Sequence, residues 1–157
     1  MRIVEGTLVA TGLKVALCVG RFNSIVTERL ERGAIEALRR HGVAESDLAV
    51  YRCAGAFELG PLTQRVARTG RYDAVVALGA ILRGGTPHFE YVAGACTASL
   101  REVAMSAPCA VAFGVLTCDD LEQAIDRAGA KAGNKGEEAA LAAIEQATLF
   151  RVIEEGA

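Results

Sequence analysis

The sequence predicts an α/β fold around a central parallel sheet, and three observations carry that prediction. Apolar runs near 13–19, 48–53, 74–82 and 109–116 alternate with helical patterns, the arrangement of successive βαβ units. The run from Ala74 to Leu82 shows no alternation of apolar and polar residues, as a strand covered on both faces should. At 157 residues the chain makes one domain, 1–157, long enough to bury a core without disulfides or metals.

Residues 1–10 stand outside the alternation. Ile3 to Ala10 has strand character ahead of the Thr11-Gly12 break; such an arm either pairs with a neighbouring subunit's sheet edge or packs on its own subunit. After the first strand, Ser24 to His41 is the clearest helix, with Val26, Leu30, Ala34, Ala37 and Leu38 on one face, charges opposite and Gly42 as a stop. Further helices are expected at 57–69, 88–106, 119–131 and 137–153. With right-handed crossovers these units give a flavodoxin-like three-layer sandwich: a four-stranded parallel sheet, order 2-1-3-4, with helices on both faces and the strand-end loops at one edge.

Composition narrows the function. The net charge of −2, with cations scattered among acids, provides no basic stripe for nucleic acid or a membrane surface. A hydrophobic content of 52% is high for a small monomer and implies subunit interfaces, although abundant alanine inflates it. Five widely spaced cysteines with no C-x-x-C pair suit a reducing compartment. The amino terminus has no signal-like apolar segment and no window is long and apolar enough to span a bilayer, so a soluble cytoplasmic protein is expected.

The segment richest in chemistry follows the third strand: Arg83-Gly84-Gly85-Thr86-Pro87-His88-Phe89-Glu90-Tyr91. Ligands bind at carboxyl ends of strands in such sheets, where glycines admit the ligand and a helix's first turn offers unpaired N–H groups. Thr86 adds hydrogen bonding and His88 a group that titrates near neutrality. Ordinary strand-to-helix punctuation, with Thr86 as N-cap and Pro87 in the first turn, accounts for everything except His88. A P-loop is excluded because Gly85 stands where its lysine would be.

The other strand ends are equally double-valued when read locally. Phe22 suits stacking on a flat heterocycle, and with Asn23 it lies at the ligand edge; Phe22 also fits a helix-start staple. Ala56, Phe57 and Glu58 follow the second strand, where Glu58 could instead stabilise a helix's first turn. Phe113 begins the segment to Thr117 that is expected to leave the fourth strand for the next helix, and Arg127 and Lys135 could bind a phosphate or be solvated cations, Lys135 capping the preceding helix.

Taken together, Arg21-Phe22-Asn23, Gly55-Ala56-Phe57-Glu58, Gly79 through Val92, Phe113-Gly114-Val115-Leu116-Thr117, and Glu122 through Gly136 resemble the 6,7-dimethyl-8-ribityllumazine synthase family in order from about residue 3 to 150. The chain departs from the family pattern at Ala54 and Gly60, where proline is usual; both are loop positions. The resemblance implies condensation of 5-amino-6-(D-ribitylamino)uracil with 3,4-dihydroxy-2-butanone 4-phosphate, the penultimate step of riboflavin synthesis, without cofactor or metal. It implies that Phe22 stacks on the pyrimidine and that Asn23, the backbone of Ala56, Phe57, Ala80, Ile81 and Leu82, and the Glu58 carboxylate hold the pyrimidine and ribityl chain. Gly85, Thr86 and Arg127 then take the phosphate and His88 transfers protons, with Phe113, Arg127 and Lys135 coming from a neighbouring subunit. Pentamers are implied too, and the compact 131–136 break resembles members whose twelve pentamers form an icosahedral shell, with riboflavin synthase as a partner it could enclose.

Overall fold

In the computed structural model, which describes residues 1–156, the unbroken apolar runs occupy the middle of the sheet. Strands β1 (Val15–Gly20), β2 (Leu48–Cys53), β3 (Ala74–Leu82) and β4 (Ala110–Cys118) are all parallel and ordered β2-β1-β3-β4. Ala157, the final residue of the predicted domain, lies outside the described residues.

Successive side chains of β1 and β3 enter two different cores. Val15, Leu17, Val76 and Leu78 face one side, while Ala16, Cys18, Val75 and Ala77 face the other. Both sides are covered, so period-two geometry is present without alternation of polarity. Helices α1 (Ser24–Arg40), α4 (Leu121–Arg127) and α5 (Lys135–Glu154) cover the first side, and α2 (Leu59–Ala67) and α3 (His88–Ser106) the second. This is the three-layer, flavodoxin-like arrangement the pattern predicts.

Small residues set how closely α5 approaches its neighbours. Ala139, Ala140, Ala143 and Ala147 are buried along α5, and a Cβ added to Gly136 would lie 2.0 Å from the Leu30 carbonyl oxygen. At that separation only glycine fits without moving one helix away from the other. Leu30, Leu38 and Ile144 fill the space this approach leaves, each contributing about 1.5–3 kcal/mol through burial.

Five local readings require correction. Ile3 to Ala10 forms no strand; instead Thr7 exchanges bonds with the Thr148 hydroxyl, which accepts from Thr7 N at 2.9 Å and donates to Thr7 O at 3.0 Å. Ala10 N donates to His41 O at 2.8 Å, so this part of the arm lies across the ends of α1 and α5. The helix expected at 119–131 stops at Arg127, because Gly129 and Gly133 adopt φ of 108° and 73° and close a turn through a 2.8 Å Gly129 N to Gly133 O bond.

Asn134 then starts α5 before the expected residue 137, its Oδ1 accepting from Gly136 N at 2.8 Å and Glu137 N at 3.2 Å. Lys135 therefore opens α5 rather than capping the preceding helix, and its Nζ pairs with Glu138 Oε2 at 2.5 Å. The residue before α3 is Pro87, with no side-chain cap, so Thr86 is not the N-cap.

Candidate active site

The carboxyl end of the sheet is stepped. Pairing between β1 and β3 ends at Val19 and Leu78, yet β3 runs on to Leu82 beside β4. On the β1 side the last residues of β3 therefore project past their neighbour, and their backbone groups are available to other partners. Asn23 takes one of them: its Nδ2 donates to Ala80 O at 2.9 Å. To do so Asn23 adopts the left-handed conformation, φ 64° and ψ 47°, which asparagine tolerates better than most residues.

Phe22 precedes this bend. Arg21 N donates to Cys53 O at 3.0 Å and Phe22 N to Ala54 O at 2.9 Å, continuing the β1–β2 ladder just past both strands. The ring consequently points outward and is 73% exposed, which removes the staple reading, since a staple would be packed. Glu58 closes the adjoining turn: its Oε2 accepts from Gly55 N at 3.0 Å. A capping role is therefore real for Glu58, whatever else it does.

Phe22, Asn23 and Ala56 form one wall of a cavity of about 220 Å³; Ala80, Ile81 and Leu82 form its back, and Gly84, Thr86 and His88 its opposite wall. Phe89 and Val92, which sequence reasoning did not single out, complete the wall from the first turns of α3. Their signal was available, since His88 and Val92 are four residues apart and share a helix face. His88 is exposed at the start of α3, where no side chain caps the helix and its first N–H groups remain open to an anion.

The glycines of the loop have no internal explanation. Neither Gly84 nor Gly85 has a left-handed backbone, and an added Cβ would meet nothing within 4 Å at either position. Packing within the chain therefore places no demand for glycine at either position.

The remaining candidates lie elsewhere. Phe113 lies within β4, paired with Ala77, rather than after the strand, and with Arg127 and Lys135 it lines a second, open cavity of about 460 Å³ against β4 and α5. Phe113 is 48% exposed and Phe57 61%, the latter beside the first cavity without lining it. Gly85 sits in the loop between Gly84 and Thr86 but also falls short of the lining.

The electrostatics leave few groups for chemistry. Burial pushes the Cys18 thiol up to about 12 and the Cys96 thiol up to about 11. Cys118 lines the second cavity and is also raised, burial outweighing the opposite pull of Arg127. Thiols held in this way are poor nucleophiles at neutral pH. Among the described residues no cluster of three His, Cys, Asp or Glu is placed to hold a metal ion, and no helix is long and apolar enough to cross a membrane.

Comparison with known proteins agrees with the motif order. The family model described as 6,7-dimethyl-8-ribityllumazine synthase matches residues 12–151. The chain is similar to a 6,7-dimethyl-8-ribityllumazine synthase of Anaeromyxobacter sp. (strain Fw109-5), 64% identical over 96% of this chain and 93% of that protein. It is also similar to the 6,7-dimethyl-8-ribityllumazine synthase of Anaeromyxobacter dehalogenans (strain 2CP-C), 65% identical over 98% of this chain and 94% of the relative.

Proposed function

The chain belongs to the 6,7-dimethyl-8-ribityllumazine synthase family, and on that premise we propose how its two cavities divide one reaction. The enzyme condenses 5-amino-6-(D-ribitylamino)uracil with 3,4-dihydroxy-2-butanone 4-phosphate to 6,7-dimethyl-8-ribityllumazine, with loss of phosphate and water. The observation that carries the proposal is the meeting of Phe22, Thr86 and His88 around the projecting end of β3.

Phe22 offers an exposed face on which the pyrimidine stacks. The backbone of Ala56, Phe57, Ala80, Ile81 and Leu82, with Asn23 and Glu58, reads the pyrimidine edge and the ribityl hydroxyls. Because Asn23 and Glu58 already make internal bonds, their main part is to shape this edge, and only their remaining valences, the second Asn23 N–H and the free side-chain oxygens, reach ligand. Gly85 and Thr86, next to the open helix start, bind the phosphate together with Arg127.

His88 carries protons for imine formation, phosphate elimination and ring closure. General acid–base assistance of this kind gives about 10²- to 10⁴-fold. Holding both reactants together supplies most of the rest, since effective molarities reach roughly 10⁵ to 10⁸ M.

The first cavity, about 220 Å³, is smaller than the roughly 300–1,000 Å³ usual for a small-molecule site. It has no arginine or lysine in its lining, whereas the second cavity has Arg127 and Lys135 but no base of the His88 kind. We therefore place Phe113, Arg127 and Lys135 of a neighbouring copy over the first cavity, in a ring of five subunits. Further assembly into a shell around riboflavin synthase, pairing of the arm 1–10 with a neighbouring subunit, and residence in the cytoplasm accord with this reading. Five free thiols suit that reducing compartment.

Mixing the protein with both substrates and following lumazine absorbance with phosphate release tests the assignment. Equal amounts of both products, formed more slowly by His88→Ala, are expected. Lumazine formation at the parent rate by His88→Ala would remove the histidine from the mechanism.

A further inference from the structure

Arg83 is the first residue after β3, and its side chain is held from three directions. Its Nη1 donates to Glu90 Oε1 at 2.5 Å and its Nε to Asp119 Oδ1 at 2.9 Å. Its guanidinium carbon lies 4.4 Å from the Phe89 ring centroid. The main chain adds a fourth tie, Arg83 N to Cys118 O at 3.0 Å. Phe89 and Glu90 belong to the first turn of α3, immediately after His88, and that turn has no side-chain cap of its own. Asp119 sits in the turn that leads from β4 into α4.

We infer that Arg83 is a positioning residue, fixing the first turn of α3, and with it His88, against the projecting end of β3. An isolated exposed ion pair restrains little. A planar fork held by two carboxylates and stacked on a ring has one geometry, and lysine cannot reproduce it. Both charges respond as paired groups: Asp119 and Glu90 raise Arg83, and Arg83 holds the Glu90 carboxyl below its usual range. Loops 83–88 and 118–120 are thereby joined within one subunit, although under the proposed function they serve two different active sites.

The role assigned to Arg83 rests on the proposed function of His88, and the test separates the two. In otherwise intact enzyme, Arg83→Met should lower kcat about 10-fold with little change in KM for the ribitylaminouracil, since small displacements of a catalytic group are costly. Arg83→Lys should recover little of that loss. In a His88→Ala background the same Arg83→Met change should alter kcat less than about 2-fold, because both changes remove one function. Amide exchange across residues 84–92 should quicken in Arg83→Met, with the rest of the chain unchanged.

Equal losses from Arg83→Met with and without His88, or full rescue by lysine, would overturn the positioning role. So would unaltered exchange at 84–92. Parent-like activity of His88→Ala would instead overturn the function of His88, and the exchange measurement would still decide what Arg83 holds. Should Arg83→Met fold poorly, Glu90→Gln removes one arm of the fork and is expected to give the same pattern at smaller size.

Discussion

The two cavities at the sheet's carboxyl end differ in what each chain already provides. The first, between β1, β3 and α3, has its shape built in: an aromatic shelf, projecting strand backbone and a histidine at an uncapped helix start. The second, along β4 and α5, holds cations, with Arg127 at the end of α4 and Lys135 at the start of α5, and is open to solvent. Under the proposed function one half recognises a flat heterocycle and moves protons, and the other neutralises charge. A single chain thus carries a shaped cavity and a separate cationic one, and under the proposed function assembly becomes a condition of catalysis rather than an accessory to it.

That contrast is most sharply broken at His88. His88→Ala should lower kcat by about 10² to 10⁴-fold in steady-state assays with little change in apparent affinity for either substrate. Arg127→Ala should show the opposite split, raising KM for the butanone phosphate about 10- to 100-fold, the range for losing a charge-assisted hydrogen bond. Identical splits for both variants would mean the halves are not specialised.

A smaller effect separates glycines that packing requires from glycines that it does not. Gly136→Ala should cost about 1–3 kcal/mol in denaturant unfolding, because its Cβ would sit 2.0 Å from Leu30 O and force α5 off α1. Gly84→Ala, with nothing within 4 Å, should leave unfolding within about 0.5 kcal/mol of the parent and show its effect in substrate binding instead. The smallest effect concerns the thiols. Burial raises Cys18, Cys53, Cys96 and Cys118, so alkylation of the native protein at neutral pH should be slow and begin at half-buried Cys53.

The fold was legible because its signals are redundant. Doubly covered strands read as unbroken apolar runs, and α1 displays its buried face every third or fourth residue. What escaped was local and decided by single side chains or by contacts remote in sequence. The end of α4 depends on how Gly129, Gly133 and Asn134 combine into one turn, which a count of helical periodicity passes over. The arm's position depends on Thr7 meeting Thr148, 141 residues away, and no local pattern reports that. In the site, Phe22, Thr86 and His88 could be named from the strand-end rule, whereas Arg83 has no role of its own in the sequence pattern, because its two carboxylates and the Phe89 ring come together around it only in the fold. The distribution of the cations over a separate cavity likewise has no signature in spacing, since it arises from where α4 and α5 fall relative to β4.

The most direct test of the two-half account is complementation between variants. His88→Ala and Arg127→Ala subunits, each weakly active alone, are co-expressed so that they assemble together, and lumazine formation is measured per subunit. If His88 and Arg127 of one site come from adjacent chains, about one quarter of the sites in a random mixture regain both residues, and activity rises well above either parent variant. If both residues of a site come from the same chain, every site remains defective and the mixture does no better than the average of the two variants.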